Sequence, residues 1–382
     1  MPLKNRRIYL DNASTTKPYP ELIELYKRIS DDYFANPSSI HFEGQKAHDL
    51  LEKSRGVILD ALHLEKEHEV IFTSGATESI NLGIKGYCLQ NKNRGKHIIS
   101  SAIEHPAVKE SIQQLVDCFD FEAIFLPVDK NGKVSLDDLK AAIREDTILV
   151  SIMAVNNEIG SINPIEDIAK LLKDYPKIVF HVDATQAIGK INLNYQDVDM
   201  ISFSGHKIHG LHSSGALIKK KKITLLPINS GGGQENGFRS GTNDLPLAVT
   251  LAKAVKLEQD KIDENKRDLS AKSAYLLEYL NNHKDLYHLN STGENPFIVN
   301  FSLKTKKASV VVEALSNRGI MVSSISACHS RKEAISDTVF ELTKDVNLAH
   351  NTVRVSFDSN NTLEEVKILV EELDNIIKEI KQ

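Results

Sequence analysis

From Glu69 onward, short unbroken apolar runs alternate with longer stretches whose apolar residues recur every three or four positions. The runs are 70–73, 97–100, 123–126, 148–153, 178–182, 200–203 and 215–218. Between several of them, 80–90, 108–116 and 165–172 carry helical spacing. Unbroken apolar strands alternating with helices predict a mostly parallel sheet covered on both faces. Before this region, 8–10 reads as a short strand running into a polar turn. A helix follows Pro20, 36–41 has loop chemistry, and 44–62 returns to helical spacing.

After Asn243 the pattern changes. Residues 245 to about 282 read as long helical segments, then 297–302 as a strand, 309–318 as a helix, 352–357 as a strand and 363–381 as a last helix. This predicts an α+β unit beginning near Asp260. The expected division is a large α/β domain over 15–260, and a small α+β domain built from 1–14 and 261–382.

Composition narrows the class. Of 382 residues, 41% are hydrophobic and 26% charged, and the net charge is −5, which gives no reason to expect nucleic-acid or membrane binding. The run 219–222 reads as a solvated strand end. The apolar stretch after the basic start ends at Asp11, too short for a signal peptide or a membrane span. Three cysteines cannot form a disulfide framework, so a reducing, cytoplasmic setting is expected. Cys88 and Cys118 lie among apolar residues at helical spacing and read as core filler. Cys328, in the polar stretch 323–330 beside His329, reads either as a reactive thiol or as an incidental loop cysteine.

Ends of the predicted strands carry the candidate chemistry, since open α/β sheets bind ligands there. Ser204-Gly205-His206-Lys207 places a lysine just past a buried strand. A partly desolvated lysine with cationic neighbours becomes a nucleophilic amine suited to a Schiff base, although most loop lysines are simply solvated. Thr73-Ser74-Gly75-Ala76-Thr77 marks a strand-to-helix junction whose first N–H groups suit a phosphate, or an ordinary capped helix. His105 follows the next strand and could stack on a flat ligand. Asn156-Asn157 offers amide donors or a plain turn. Asp183 ends a buried strand and either caps a helix or pairs with a pyridinium N–H, with Gln186 on the same turn. Five glycines between Gly231 and Gly241 form a loop able to approach a ligand or a second subunit, with Arg239 and Thr242 as anion contacts. Arg354 could clamp a carboxylate. In order, these are the parts that hold a phosphorylated pyridine aldehyde.

These stretches, with Tyr9-Leu10-Asp11-Asn12-Ala13-Ser14-Thr15-Thr16, Asn36-Pro37-Ser38-Ser39-Ile40-His41 and Ser326-Ala327-Cys328, resemble the cysteine desulfurases. Those are pyridoxal-phosphate enzymes of the class-V aminotransferase type. The resemblance implies the type I PLP-dependent transferase fold and conversion of L-cysteine to L-alanine, with sulfur held as a persulfide on Cys328. It implies Lys207 as the Schiff-base lysine and His105 as the stacking, proton-moving ring. Asp183 faces the pyridine nitrogen, and Gln186 the phenolic oxygen. Asn156 orients cofactor or substrate, and Arg354 takes the substrate carboxylate. Ala76, Thr77, Ser204 and His206 hold the phosphate, with Thr242 reaching in from the second subunit of a homodimer. No metal is implied.

The chain departs from the family at Ile325 and at Asp358, where glycine is usual, and at Gly210-Leu211-His212-Ser213, where Gly-Pro-Lys-Gly is usual. Selenocysteine lyases and aminotransferases share the fold, and a PLP-binding scaffold without turnover would share the cofactor set. Cys328 favours desulfuration. Sulfur acceptors include iron–sulfur scaffolds, tRNA-thiolating enzymes and thiamine-pathway carriers, and the overall pattern, including Asn236 in the glycine loop, most resembles desulfurases dedicated to tRNA thiolation.

Overall fold

The structure is a computed structural model describing residues 7–64, 66–324 and 335–379. Ile325, Cys328 and His329 lie outside the described residues.

A seven-stranded sheet runs in the order His68–Thr73, Gly215–Lys220, Met200–Ser204, Val179–Asp183, Thr147–Met153, His97–Ser101, Glu122–Leu126. Gly215–Lys220 is antiparallel to both neighbours, and the other adjacent pairs are parallel. Every residue of the three strands Thr147–Met153, Val179–Asp183 and Met200–Ser204 is buried, which is why the sequence shows unbroken apolar runs there. Successive strand residues point to opposite faces. Val70, Phe72, Phe180, Val182 and Ile201 join one apolar core; Ile71, Val179 and Met200 join another. Helices Pro20–Asp32, Phe42–Ala61, Ile165–Leu172 and Leu245–Gln259 supply residues to the first. Helix Pro106–Phe119 covers the second.

A separate core joins Ile8, Leu10 and Ala13 to residues between Leu269 and Ile377. It packs on a four-stranded antiparallel sheet ordered Ser323–Ser324, Thr352–Ser356, Ile298–Leu303, Tyr287–Leu289. Ile8–Tyr9 pairs in parallel with Ile320–Met321, which ties the start of the chain to this unit. The two cores divide at the break between helices Leu245–Gln259 and Ile262–Asn282.

Several expectations need correction. Cys118 is exposed, whereas Cys88 is buried. Helix Pro106–Phe119 buries Val108, Ser111, Ile112 and Leu115, whereas residues 117–120 at its end are all exposed. Lys219 is not solvated: it faces inward, ion-paired with Glu69, donating to the Ile223 carbonyl at 2.8 Å and 4.2 Å from the centroid of the Phe238 ring. The helix expected from 80 begins at Ala76, and Leu82–Gly86 within it is a π turn. Helices Leu136–Ala142, Asp337–Thr343 and Val346–His350 had no counterpart in the sequence reading.

Candidate active site

A cavity of about 520 Å³ opens at the carboxyl ends of the parallel strands. Ala76, Thr77, His105, Asp183, Gln186, Ser204, His206, Lys207 and Arg354 all line it. All but Arg354 come from separate junctions, brought together because parallel strands end on one edge of the sheet; Arg354 reaches in from strand Thr352–Ser356 of the antiparallel sheet.

Lys207 closes the short 3-10 turn Gly205–Lys207 directly after strand Met200–Ser204. Its Nζ donates to the carbonyls of Ala13 at 2.8 Å and Ser14 at 2.6 Å. Asp183 is the last residue of its strand and only 4% exposed, with Oδ1 accepting from the Thr185 N–H at 3.0 Å. His105 caps helix Pro106–Phe119, its Nδ1 accepting from the Ala107 N–H at 3.0 Å. That bond assigns the ring proton of the neutral form to Nε2. Burial holds the His105 imidazole below its usual value, with Asp183 opposing and Lys207 adding to the effect. Carboxylate and amine therefore both act on the imidazole.

At the opposite wall, Gly75 precedes helix Ala76–Asn81 with φ near 150°, and a Cβ there would stand 3.4 Å from Ser204 Oγ. Gly215 is closer still, since its Cβ would fall 2.5 Å from the Gly75 Cα. These glycines keep the first turn of the helix open as an anion cradle. Glu78 anchors that turn: Oε2 accepts from the Ser74 N–H at 2.6 Å, and Oε1 from Arg239 Nε at 2.8 Å. His206 is pushed down to about 4 by burial, then by Lys207, His212 and Lys190, so it enters as a neutral ring.

These residues fit pyridoxal 5'-phosphate. The cradle and Ser204 suit a phosphate, and the Asp183 carboxylate suits a pyridinium N–H. Among the described residues, Thr185 Oγ1 and Arg354 Nε are buried polar atoms without a hydrogen-bond partner on residues that line this cavity, which suits a polar ligand there.

One expected contact stands elsewhere. Asn156 is fully buried and its amide serves the loop: Nδ2 donates to the Ile103 carbonyl at 2.9 Å, and Oδ1 accepts from Glu158 and Ile159 N–H groups. Its neighbour Asn157 lines the cavity instead. Thr242 borders a neighbouring cleft with Ser74 and Arg239, outside the cavity formed by its own chain. Cys328 lies outside the described residues. The sequence reading missed Ala13, Ser14, Thr185 and His212 as lining residues. The polar turn 11–16 was the available signal for the first two.

The Aminotransferase class-V family profile matches residues 8–369. A NifS/IcsS protein homolog of Lactobacillus delbrueckii subsp. bulgaricus is 41% identical over 376 residues, 97% of each chain. The cysteine desulfurase IscS of Dictyoglomus turgidum is 37% identical over 380 residues, 98% of this chain and 96% of that one. A solved NifS-like protein is 33% identical and superposes with a TM-score of 0.89, covering 97% of this chain and 99% of that one.

Proposed function

This chain belongs to the class-V aminotransferase family and to the cysteine desulfurases within it, and on that premise we propose how its own residues carry out the reaction. It is a pyridoxal-phosphate enzyme acting on L-cysteine. The observation that carries the assignment of roles is the convergence of Lys207, Asp183 and His105 in one cavity beside the Gly75 cradle.

The N–H groups of Ala76 and Thr77, with Ser204 and His206, hold the phosphate. Thr242 of a second copy completes that grip in a homodimer. Asp183 keeps the pyridine nitrogen protonated, Gln186 faces the phenolic oxygen and Lys207 holds the cofactor covalently. Once bound, pyridoxal 5'-phosphate supplies an electron sink that acidifies the substrate α-proton and weakens the C–S bond. Arg354 receives the substrate carboxylate. Lys207 takes the α-proton, and His105, neutral and protonated on Nε2, passes protons at the same face. Asn156 holds the strand-end loop so that Asn157 borders the substrate.

The Cys328 thiolate attacks the substrate sulfur. A new S–S bond forms, the C–S bond breaks with its electron pair left on carbon, and protonation of that carbon gives the methyl group of alanine. Cys328 leaves as a persulfide and hands the sulfur to an acceptor protein, an iron–sulfur scaffold or a tRNA-thiolating enzyme.

We place this chemistry in the cytoplasm on cysteine usage. Among the described residues no helix is long and apolar enough to cross a membrane. Incubation of the PLP-loaded protein with L-cysteine should release alanine and no keto acid. Keto-acid release would instead support the aminotransferase reading. Sedimentation of a fully active monomer would remove Thr242 from the site.

A further inference from the structure

Lys190 is 7% exposed, yet among the described residues no carboxylate pairs with it. A buried ammonium without an ion pair is costly and calls for a reason. Among the described residues the partner of its ammonium is Gln186 Oε1, which accepts from Nζ at 2.6 Å. The contact is set by the turns after strand Val179–Asp183. Ile188 N–H donates to the Ala184 carbonyl and Ile191 N–H to the Ala187 carbonyl, both at 3.0 Å, and these turns bring Lys190 back against Gln186. Gly189 pins the end of this segment. Its φ is 73°, its N–H donates to Gln259 Oε1 at 3.0 Å, and a Cβ there would meet the Glu258 Cβ at 2.5 Å. Only glycine lets the backbone press so closely on helix Leu245–Gln259.

An ammonium can only donate, whereas a primary amide has one accepting and one donating edge. Facing Lys190, Gln186 must present its oxygen. Its Nε2 is thereby turned the other way, where it donates to the Ala13 carbonyl at 2.8 Å. The same carbonyl accepts from Lys207 Nζ. Gln186 lines the cavity, and its second N–H remains for an acceptor there.

We propose that Lys190 is a positioning residue: it fixes the amide of Gln186 with the donating edge toward the cofactor cavity and beside Lys207. This rests on the reading that Gln186 faces the phenolic oxygen of the cofactor. Burial pushes Lys190 down to about 7, with Lys207 adding to this; Glu258 and Asp358 pull it up, and Arg354 pushes it further down. Below that value Lys190 is a donor only. Above it, the neutral amine can also accept, and its constraint on Gln186 relaxes.

The test is the visible absorption of the PLP-loaded protein, titrated from about pH 5 to 9. A donor at the phenolic oxygen and a nearby cation both favour the deprotonated chromophore, so their loss raises its apparent pKa. Lys190→Met, and Lys190→Gln, which can donate or accept, should raise that pKa by about one unit or more. Lys190→Arg, again a donor only, should stay within about 0.3 of wild type. If Lys190→Met does not fold, the Gln and Arg variants decide. Variants that shift the thermal midpoint while leaving the titration in place overturn the proposal. Gln186→Ala separates the two layers. If it moves the curve and the Lys190 variants do not, only the role of Lys190 falls. If it leaves the curve unmoved, the reading of Gln186 falls, and this proposal with it.

Discussion

Asp11 and Arg354, from opposite ends of the chain, meet in an ion pair of 2.9 Å at the rim of the cavity. Arg354 Nη2 also donates to Ser14 Oγ at 2.6 Å, and Nη1 to the Asn157 carbonyl at 2.8 Å. The guanidinium is thus held in one pose with Nε buried and unmatched. If it receives the substrate carboxylate, Arg354→Gln should raise KM for L-cysteine about 10- to 100-fold, the worth of a charge-assisted contact. The visible spectrum of the bound cofactor should not change. An unaltered KM would assign the carboxylate to another residue.

The covalent role of Lys207 has a direct chemical readout. Borohydride reduction of the loaded protein, followed by peptide mapping, should leave the pyridoxyl group on Lys207. Lys207→Ala should yield no labelled peptide. Label on Lys190, a buried amine close enough to feel the charge of Lys207, would contradict the assignment.

Glu104 gives a pH-dependent expectation. Its carboxyl is pushed up to about 8 by burial, against hydrogen bonds from Ser101 Oγ at 2.6 Å and Met153 N–H at 2.9 Å; Asp183 raises it further and Lys109 lowers it. Both bonds fall on Oε1, and Oε2 is buried without a partner. The folded state therefore binds this proton more tightly than the unfolded chain does, whose value is near 4.5. Stability should fall as pH rises through that window, from about 4.5 to about 8, and level off above it. Glu104→Gln removes the titration, so its thermal midpoint should gain on wild type steadily from pH 5 to 8. A constant difference between the two proteins would mean that Glu104 is ionised throughout.

Much of this was legible in the sequence because parallel strands buried on both faces leave unbroken apolar runs, as at Thr147–Met153, and because small or polar residues mark their ends. What was hidden depends on direction and distance. Nothing local tells that Asn156 turns its amide into its own loop while Asn157 faces the cavity. The run 219–222 looks uniformly solvated, but strand Gly215–Lys220 is covered on both faces, which buries Lys219 with Glu69 and pairs Lys220, its last residue, with Asp199. Lys190 meets Gln186 through a run of turns with Gly189 at positive φ, which no periodicity in the sequence announces, and the segment is pressed on a helix that ends at Gln259.

The glycine loop is held by a buried pair. Arg55 Nη1 and Nη2 reach Glu235 Oε2 and Oε1 at 2.6 and 3.0 Å, and the Phe72 N–H donates to Oε2 at 2.9 Å. Glu235→Ala would strand the guanidinium and should cost about 3–5 kcal/mol in chemical denaturation. Replacing both partners with apolar residues should recover much of that loss. A cost below about 1 kcal/mol for the single variant would show that the pair is solvated in solution.

Cys328 carries the central claim, and a single turnover tests it. The PLP-loaded protein is mixed with less than one equivalent of L-cysteine, alanine is quantified, and the Cys328 peptide is weighed by mass spectrometry. One sulfur atom should appear on Cys328 for each alanine released, Cys328→Ser should give neither, and Cys88→Ser and Cys118→Ser should match wild type. Alanine formed at the wild-type rate by Cys328→Ser, or sulfur found on Cys118, would contradict the account.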